Sequence, residues 1–209
     1  EGVSPMPAGG GTKARARQEA QRARILEAAR KCFSEEGFHG AGMSAIAKEA
    51  GMSQGLIYRY FTNKAAIIQA ITEEQRARRT EDLCAIATFD DLVDRLVEKL
   101  RRWRAGDAED DIFDPALFLE ISAEASRDPE VAAMVSAQEK EIWADFAAIV
   151  RRDADARGQQ LDEEALRCRT MALRCLVDGV ITACVRDPRL DCDQVQASLR
   201  RVLRQLGAG

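Results

Sequence analysis

Residues Met43 to Lys64, MSAIAKEAGMSQGLIYRYFTNK, constrain the fold more than any other stretch of the chain. Met43, Ile46, Ala47 and Ala50 recur at helical spacing and stop at Gly51; Ser53 then opens a second short segment that ends in Tyr58-Arg59-Tyr60-Phe61. Two short helices across a glycine-containing turn make a helix-turn-helix, whose second helix is the candidate reader of duplex DNA. Such a unit needs other helices to hold it. The rest of the chain has the composition for them: alanine, arginine and glutamate abound and β-branched or aromatic runs of period two are nearly absent, so the predicted class is all-α.

A formal charge of −4 conceals an asymmetry. Positions 12 to 80 hold 13 Lys and Arg against 7 Asp and Glu, whereas positions 81 to 209 hold 18 against 27. The first part is therefore the candidate nucleic-acid face and the acidic second part is not. Lys13, Arg15 and Arg17 begin a basic run to Arg24 that grades into a helix carrying Ile25, Leu26, Ala29, Cys32 and Phe33. Beside a helix-turn-helix, that run reads as an arm that contacts phosphates. Gly37 is expected to end the helix as a left-handed cap, and the Pro/Gly-rich residues 1–12 are expected to be disordered. Met6 reads as a natural start, with residues 1–5 an added leader.

Asn63 is expected to cap a helix running through Ile67, Ile68 and Ile71 toward Arg79. The sign of the charge changes near residue 80, which sets the expected boundary between a domain of residues 13–80 and one of residues 81–209. Beyond it every periodic segment reads as helix. Asp128-Pro129-Glu130 is a cap followed by proline at the first helical position. From Asp162 to Val185 one face is small (Cys168, Ala172, Cys175, Gly179) and another is larger, and a last helix carries Val195, Leu199 and Val202. A helix apolar on two sides must be covered on two sides. These two helices are thus expected to pair with a second copy in a four-helix homodimer interface.

Six cysteines without a CxxC and a single histidine, His39, exclude a zinc finger. The cysteines fall mostly on apolar helix faces and read as small buried hydrophobes in a reducing cytosol. The N-terminus has no signal-peptide hydrophobic region. No segment approaches the roughly 18 apolar residues of a membrane span. The expected location is cytoplasmic. No metal and no cofactor are expected. A lone histidine, the lack of a phosphate-cradling glycine loop and the lack of a nucleophile motif argue against an enzyme.

The chain is identified by Gly37-Phe38, MSAIAKEA (43–50), Gly51-Met52-Ser53, Ile57-Tyr58-Arg59-Tyr60-Phe61 and Asn63-Lys64 as resembling the tetracycline-repressor (TetR) family of one-component regulators. The likeness covers about the first 70 residues; the remainder agrees in the number and order of helices. It implies a three-helix DNA-binding domain on a six-helix ligand-binding and dimerisation domain. It also implies a repressor that leaves its operator when a small molecule binds. Residue by residue, it places Gln54, Gly55 and Leu56 at base edges, Tyr58, Tyr60 and Lys64 at phosphates, and Ser44 and Ala45 against DNA from the preceding helix. Ser53, the cap between them, is counted with this face. Ala65 and Ala66 depart from the acidic residues common after the family's lysine. The roles suit the side chains: glutamine bonds an adenine edge bidentately, glycine admits close backbone approach, and leucine meets a thymine methyl. A dimer presents two reading helices about 34 Å apart, so the expected partner is a palindromic double-stranded operator.

Candidate walls of an effector pocket are Trp103, Phe113, Phe118, Ile121, Met134, Trp143, Phe146 and Met171. Glu120 and Glu124 share a helix with Phe118 and Ile121 and are expected on its solvated face. The contrasting function is a thiol-sensing or partner-binding helical module in which the cysteines act and DNA is incidental.

Overall fold

The computed structural model describes residues 10–107 and 113–208. Among them are nine α-helices and no strand: α1 (Gly10–Gly40), α2 (Met43–Glu49), α3 (Gln54–Tyr60), α4 (Lys64–Cys84), α5 (Phe89–Ala105), α6 (Pro115–Ala125), α7 (Pro129–Ala156), α8 (Glu163–Arg186) and α9 (Cys192–Ala208). The expected class and helix order are those observed. Residues 1–9 and most of the acidic loop, 108–112, lie outside the described residues, and helix α1 already includes residues 10–12 of the stretch expected to lack structure.

The chain divides into two compact units at Ile71/Thr72, inside α4. Composition had pointed to residue 80. The difference is physical: charge changes where exposed side chains change, whereas the division follows burial, and Ile67, Ile68 and Ile71 are the last α4 side chains buried with the first unit.

In the first unit, Ile25, Leu26, Ala29 and Phe33 form the inner stripe of α1 and meet Ile46 and Ala47 of α2, Ile57 of α3 and the three isoleucines of α4 in a sealed core. Gly37 interrupts α1 with φ 73° and ψ 165°. Its φ is positive, as expected, but ψ lies far from the left-handed helical well, in a region essentially reserved for glycine. The chain therefore bends there instead of closing a helical cap, and Phe38 turns back onto Phe33 with ring centroids 5.3 Å apart.

In the second unit the stripe of α5 (Phe89, Val93, Val97, Leu100) packs with Phe146, Ile149 and Val150 of α7, Leu173, Ile181 and Cys184 of α8, and Leu199 and Leu203 of α9. Local chemistry sets the helix starts. Thr88 and Asp91 form a reciprocal capping box at α5, with Asp91 N donating to Thr88 Oγ1 at 3.2 Å and Thr88 N to Asp91 Oδ2 at 2.9 Å. The Thr88 hydroxyl, donating to Asp91 Oδ2 at 2.8 Å, and then Thr88 N hold the Asp91 carboxyl below the usual carboxylate range. Asp114 and Asp128 cap α6 and α7 ahead of Pro115 and Pro129, and Asp162 caps α8. Asp191 caps α9, accepting from Asp193 N at 2.9 Å and Gln194 N at 3.3 Å.

Candidate nucleic-acid interface and effector cavity

The turn between α2 and α3 rests on Gly51, whose φ of +61° an L side chain adopts only with strain. Ser53 Oγ accepts from Leu56 N at 3.3 Å and starts α3. With Ile57 and Phe61 buried, one turn apart, the opposite face of α3 is fixed outward. Ser53, Gln54, Gly55, Tyr58 and Arg59 are exposed there, Tyr58 at 49%, while Leu56 and Tyr60 are half-buried. A Cβ added at Gly55 would meet nothing within 4 Å, so this backbone is open to close approach. On α2, Ser44 is exposed and Ala45 half-buried.

Lys64 is engaged within its own unit. Its ammonium donates to the Phe38 carbonyl at 2.6 Å and sits 4.2 Å from the centroid of the Phe38 ring. Any phosphate it grips must share it with that contact. Asn63 Oδ1 accepts from Ala66 N at 2.8 Å, the expected cap of α4. Lys13, Arg15 and Arg17 project from helical backbone and are exposed; Arg15 pairs with Glu19 at 3.0 Å on the same helix. Sequence reasoning passed over Arg59 and Lys48, both exposed. Their signal was the basic side chain itself, beside Tyr58 in one case and beside the turn in the other.

The second unit contains a cavity of about 490 Å³ bounded by α4 to α8. That volume is within the range of small-molecule sites. Phe113, Phe118, Ile121 and Phe146 line it, as expected. Trp103, Met134, Trp143 and Met171 do not. Trp103 continues the α5 stripe one turn past Lys99 and packs on the core beyond the cavity. Met134 is instead engaged through its thioether, Sδ accepting from Thr72 Oγ1 at 3.8 Å. Trp143 is rotated by roughly 100° from the lining residue Ile142. Met171 is 53% exposed on the outer flank of α8.

Polar residues that sequence reasoning missed also line the cavity. Arg174 donates through Nη2 to Glu139 Oε1 at 3.0 Å, pairs through Nε with Asp178 Oδ2 at 3.2 Å, and lies 5.5 Å from the Phe146 centroid. Burial pushes the Asp178 carboxyl up, against the opposing pull of Arg174. Burial likewise pulls the Arg79 guanidinium down, with Asp145 the leading influence the other way. Lys99 pairs with Asp82 at 2.7 Å. The available signal was Arg174 and Asp178, four apart in an otherwise apolar stretch of α8. Glu124 corrects a further expectation: it is only 4% exposed, not solvated, and neither it nor Glu120 lines the cavity.

The residues expected at an interface between copies separate into two groups. Cys168, Cys175, Gly179 and Val202 are exposed and Ala172 is half-buried. Leu199, by contrast, is 7% exposed within the core of its own unit, and Val195 packs against that core. Amphipathic α9 spends its Leu199/Leu203 stripe on the chain itself, which leaves Val202 outward.

Residues 25–71 match the family described as bacterial regulatory proteins, tetR family. The chain is 40% identical over 142 residues to the HTH-type transcriptional regulator UidR of Escherichia coli (strain K12), covering 66% of this chain and 68% of that one. It is 31% identical over 190 residues to the HTH-type transcriptional repressor Rv1474c of Mycobacterium tuberculosis, covering 87% of this chain and 94% of that one. Among solved structures, Salmonella enterica GusR superposes with a TM-score of 0.70 at 29% identity, covering 91% of this chain and 96% of that one.

Proposed function

The chain belongs to the TetR family of bacterial transcriptional regulators, and from that premise we propose that it is a ligand-released repressor that binds a palindromic operator as a homodimer. The observation that carries the ligand-responsive part is the cavity of about 490 Å³ with a charged wall, built into a unit other than the one that bears the reading helix. Gln54, Gly55 and Leu56 are assigned to base edges, Tyr58, Tyr60 and Lys64, joined by Arg59, to phosphates, with Ser44, Ala45 and Ser53 alongside and Lys13, Arg15 and Arg17 on the flanking backbone. The exposed apolar face of α8, Cys168, Met171, Cys175 and Gly179, together with Val202, is assigned to the second copy. No helix among the described residues is long and apolar enough to cross a membrane; a cytoplasmic location is inferred from the DNA target.

The thiol-sensing alternative finds less support. Contrary to the expectation of small buried hydrophobes, only Cys32 and Cys184 are buried, whereas Cys84, Cys168 and Cys175 are exposed and Cys192 is half-buried; in the two buried ones burial pushes the thiol up, away from the reactive thiolate. A gel-shift titration on the promoter beside the chain's own gene tests the proposal. Specific, salt-dependent retardation that survives mild thiol oxidation is expected. Loss of the complex on oxidation and its return with reductant would instead favour the thiol reading.

A further inference from the structure

We propose that the cavity takes a hydroxylated ligand with an apolar body, one oxygen accepting from Arg79 and a hydroxyl donating to Asp178. This rests on the reading of the cavity as the effector site.

Two groups on the cavity wall have unused hydrogen-bonding capacity. Nε and Nη2 of Arg79 are sealed from solvent with no hydrogen-bond partner, and the nearest carboxylate, Asp145, stands 4.0 Å from Nε. Oδ1 of Asp178 is also buried without a partner, although Oδ2 faces Arg174. In the second unit the other unmatched guanidinium nitrogens, on Arg104 and Arg200, are of a different kind. Arg104 is already held by the Leu190 and Asp187 carbonyls, and Arg200 by Asp94. Buried polar groups are bonded almost without exception, so a bare donor and a bare acceptor lining the same cavity mark the place of an absent partner.

The chemistry of the two groups defines that partner. A guanidinium only donates and an ionised carboxylate only accepts, so the ligand must offer both an acceptor and a donor. Hydroxyl groups do both. Four basic and four acidic side chains line the cavity, so no formal charge on the ligand is needed to balance it. Arg174 is already committed to Glu139 and Asp178, Lys99 to Asp82, and Arg95 is exposed to solvent, which leaves Arg79 as the guanidinium that receives the ligand. Phe113, Phe118 and Phe146, with Ile142 and Ile181, supply the apolar surround for the rest of the molecule.

The test is calorimetric titration of the full chain with four probes: 3-phenyl-1,2-propanediol and 3-phenyllactate, which carry hydroxyls, and 3-phenylpropionate and 2-phenylethylamine, which do not. The hydroxylated pair is expected to bind about tenfold or more tightly than the other two. Arg79→Met and Asp178→Leu are each expected to lose that preference, while Asp178→Asn, which keeps an acceptor oxygen, retains most of it. Melting curves of each variant establish that it is folded. Equal binding of 3-phenylpropionate and the diol, a preference untouched by Arg79→Met and Asp178→Leu, or no binding of any probe would overturn the proposal. A parallel gel shift separates the two readings: a diol that binds with the stated dependence but leaves the operator complex intact supports the cavity chemistry and contradicts the effector role.

Discussion

Lys64 and Phe38 are joined twice, by a 2.6 Å hydrogen bond from the ammonium to the Phe38 carbonyl and by its position 4.2 Å from the Phe38 ring. The pair ties the first turn of α4 to the chain just after the Gly37 bend. A residue that family likeness assigns to a phosphate is thus also a structural clamp. Lys64→Gln is expected to lower stability by about 1–2 kcal/mol, from one charge-assisted hydrogen bond and one cation–π contact. Chemical denaturation measures this. An unchanged midpoint with weakened operator binding would assign Lys64 to phosphate alone.

Gly55 separates reading from folding. Its Cβ position is open, so Gly55→Ala is expected to stabilise the free protein by about 0.5–1 kcal/mol through helix propensity. Operator affinity should nevertheless fall if the bare backbone lies against base edges. Thermal melting and gel shift on the same preparation check both signs; unchanged affinity would remove Gly55 from the reading face.

Gln54→Ala is expected to cost about 1–3 kcal/mol of operator binding and to relax selectivity at one base position. Affinities for a set of single-base operator variants measure it. A uniform loss across all of them would point to a phosphate contact instead.

Asp178 gives a pH dependence with a definite sign. Its folded pKa is raised by burial, so between the ordinary carboxylate value of about 3.9 and the raised value the folded state holds a proton that the unfolded state has released. Stability therefore falls as pH rises through that window and stays lower above it. Asp178→Asn has no such fall, and at neutral pH its melting temperature is expected to exceed that of the parent. Parallel melting curves from acid to neutral pH would contradict the assignment.

The two faces of the C-terminal helices predict opposite outcomes. Cys175→Arg, on the exposed face of α8, is expected to leave the fold intact and shift the chain to monomer in analytical ultracentrifugation. Leu199→Asp, in the core, is expected to unfold the second unit, because it buries a charge.

The first unit was legible because its information is local. Gly51, Ser53 and the Ile57/Phe61 pair each act within a turn or two of themselves, so their spacing alone orients α3. The cavity was legible only in part. Phe113, Phe118, Ile121 and Phe146 were found because aromatic and branched side chains mark the inner side of any helix, but that criterion cannot tell cavity from core, as Trp103 demonstrates, or from an outer face, as Met171 does. Arg79, Glu139, Arg174 and Asp178 come from three helices and acquire meaning only when those helices meet. Leu199 shows a related limit: it packs in the core of its own unit, and an apolar stripe on α9 does not by itself say whether it faces its own chain or another.

DNase footprinting of the purified chain on the promoter beside its gene tests the central claim most directly. The account predicts two protected half-sites related by a two-fold axis, with centres about 34 Å apart along the duplex, and their loss in Gln54→Ala. A single protected half-site, asymmetric protection, or a footprint indifferent to Gln54 would contradict it.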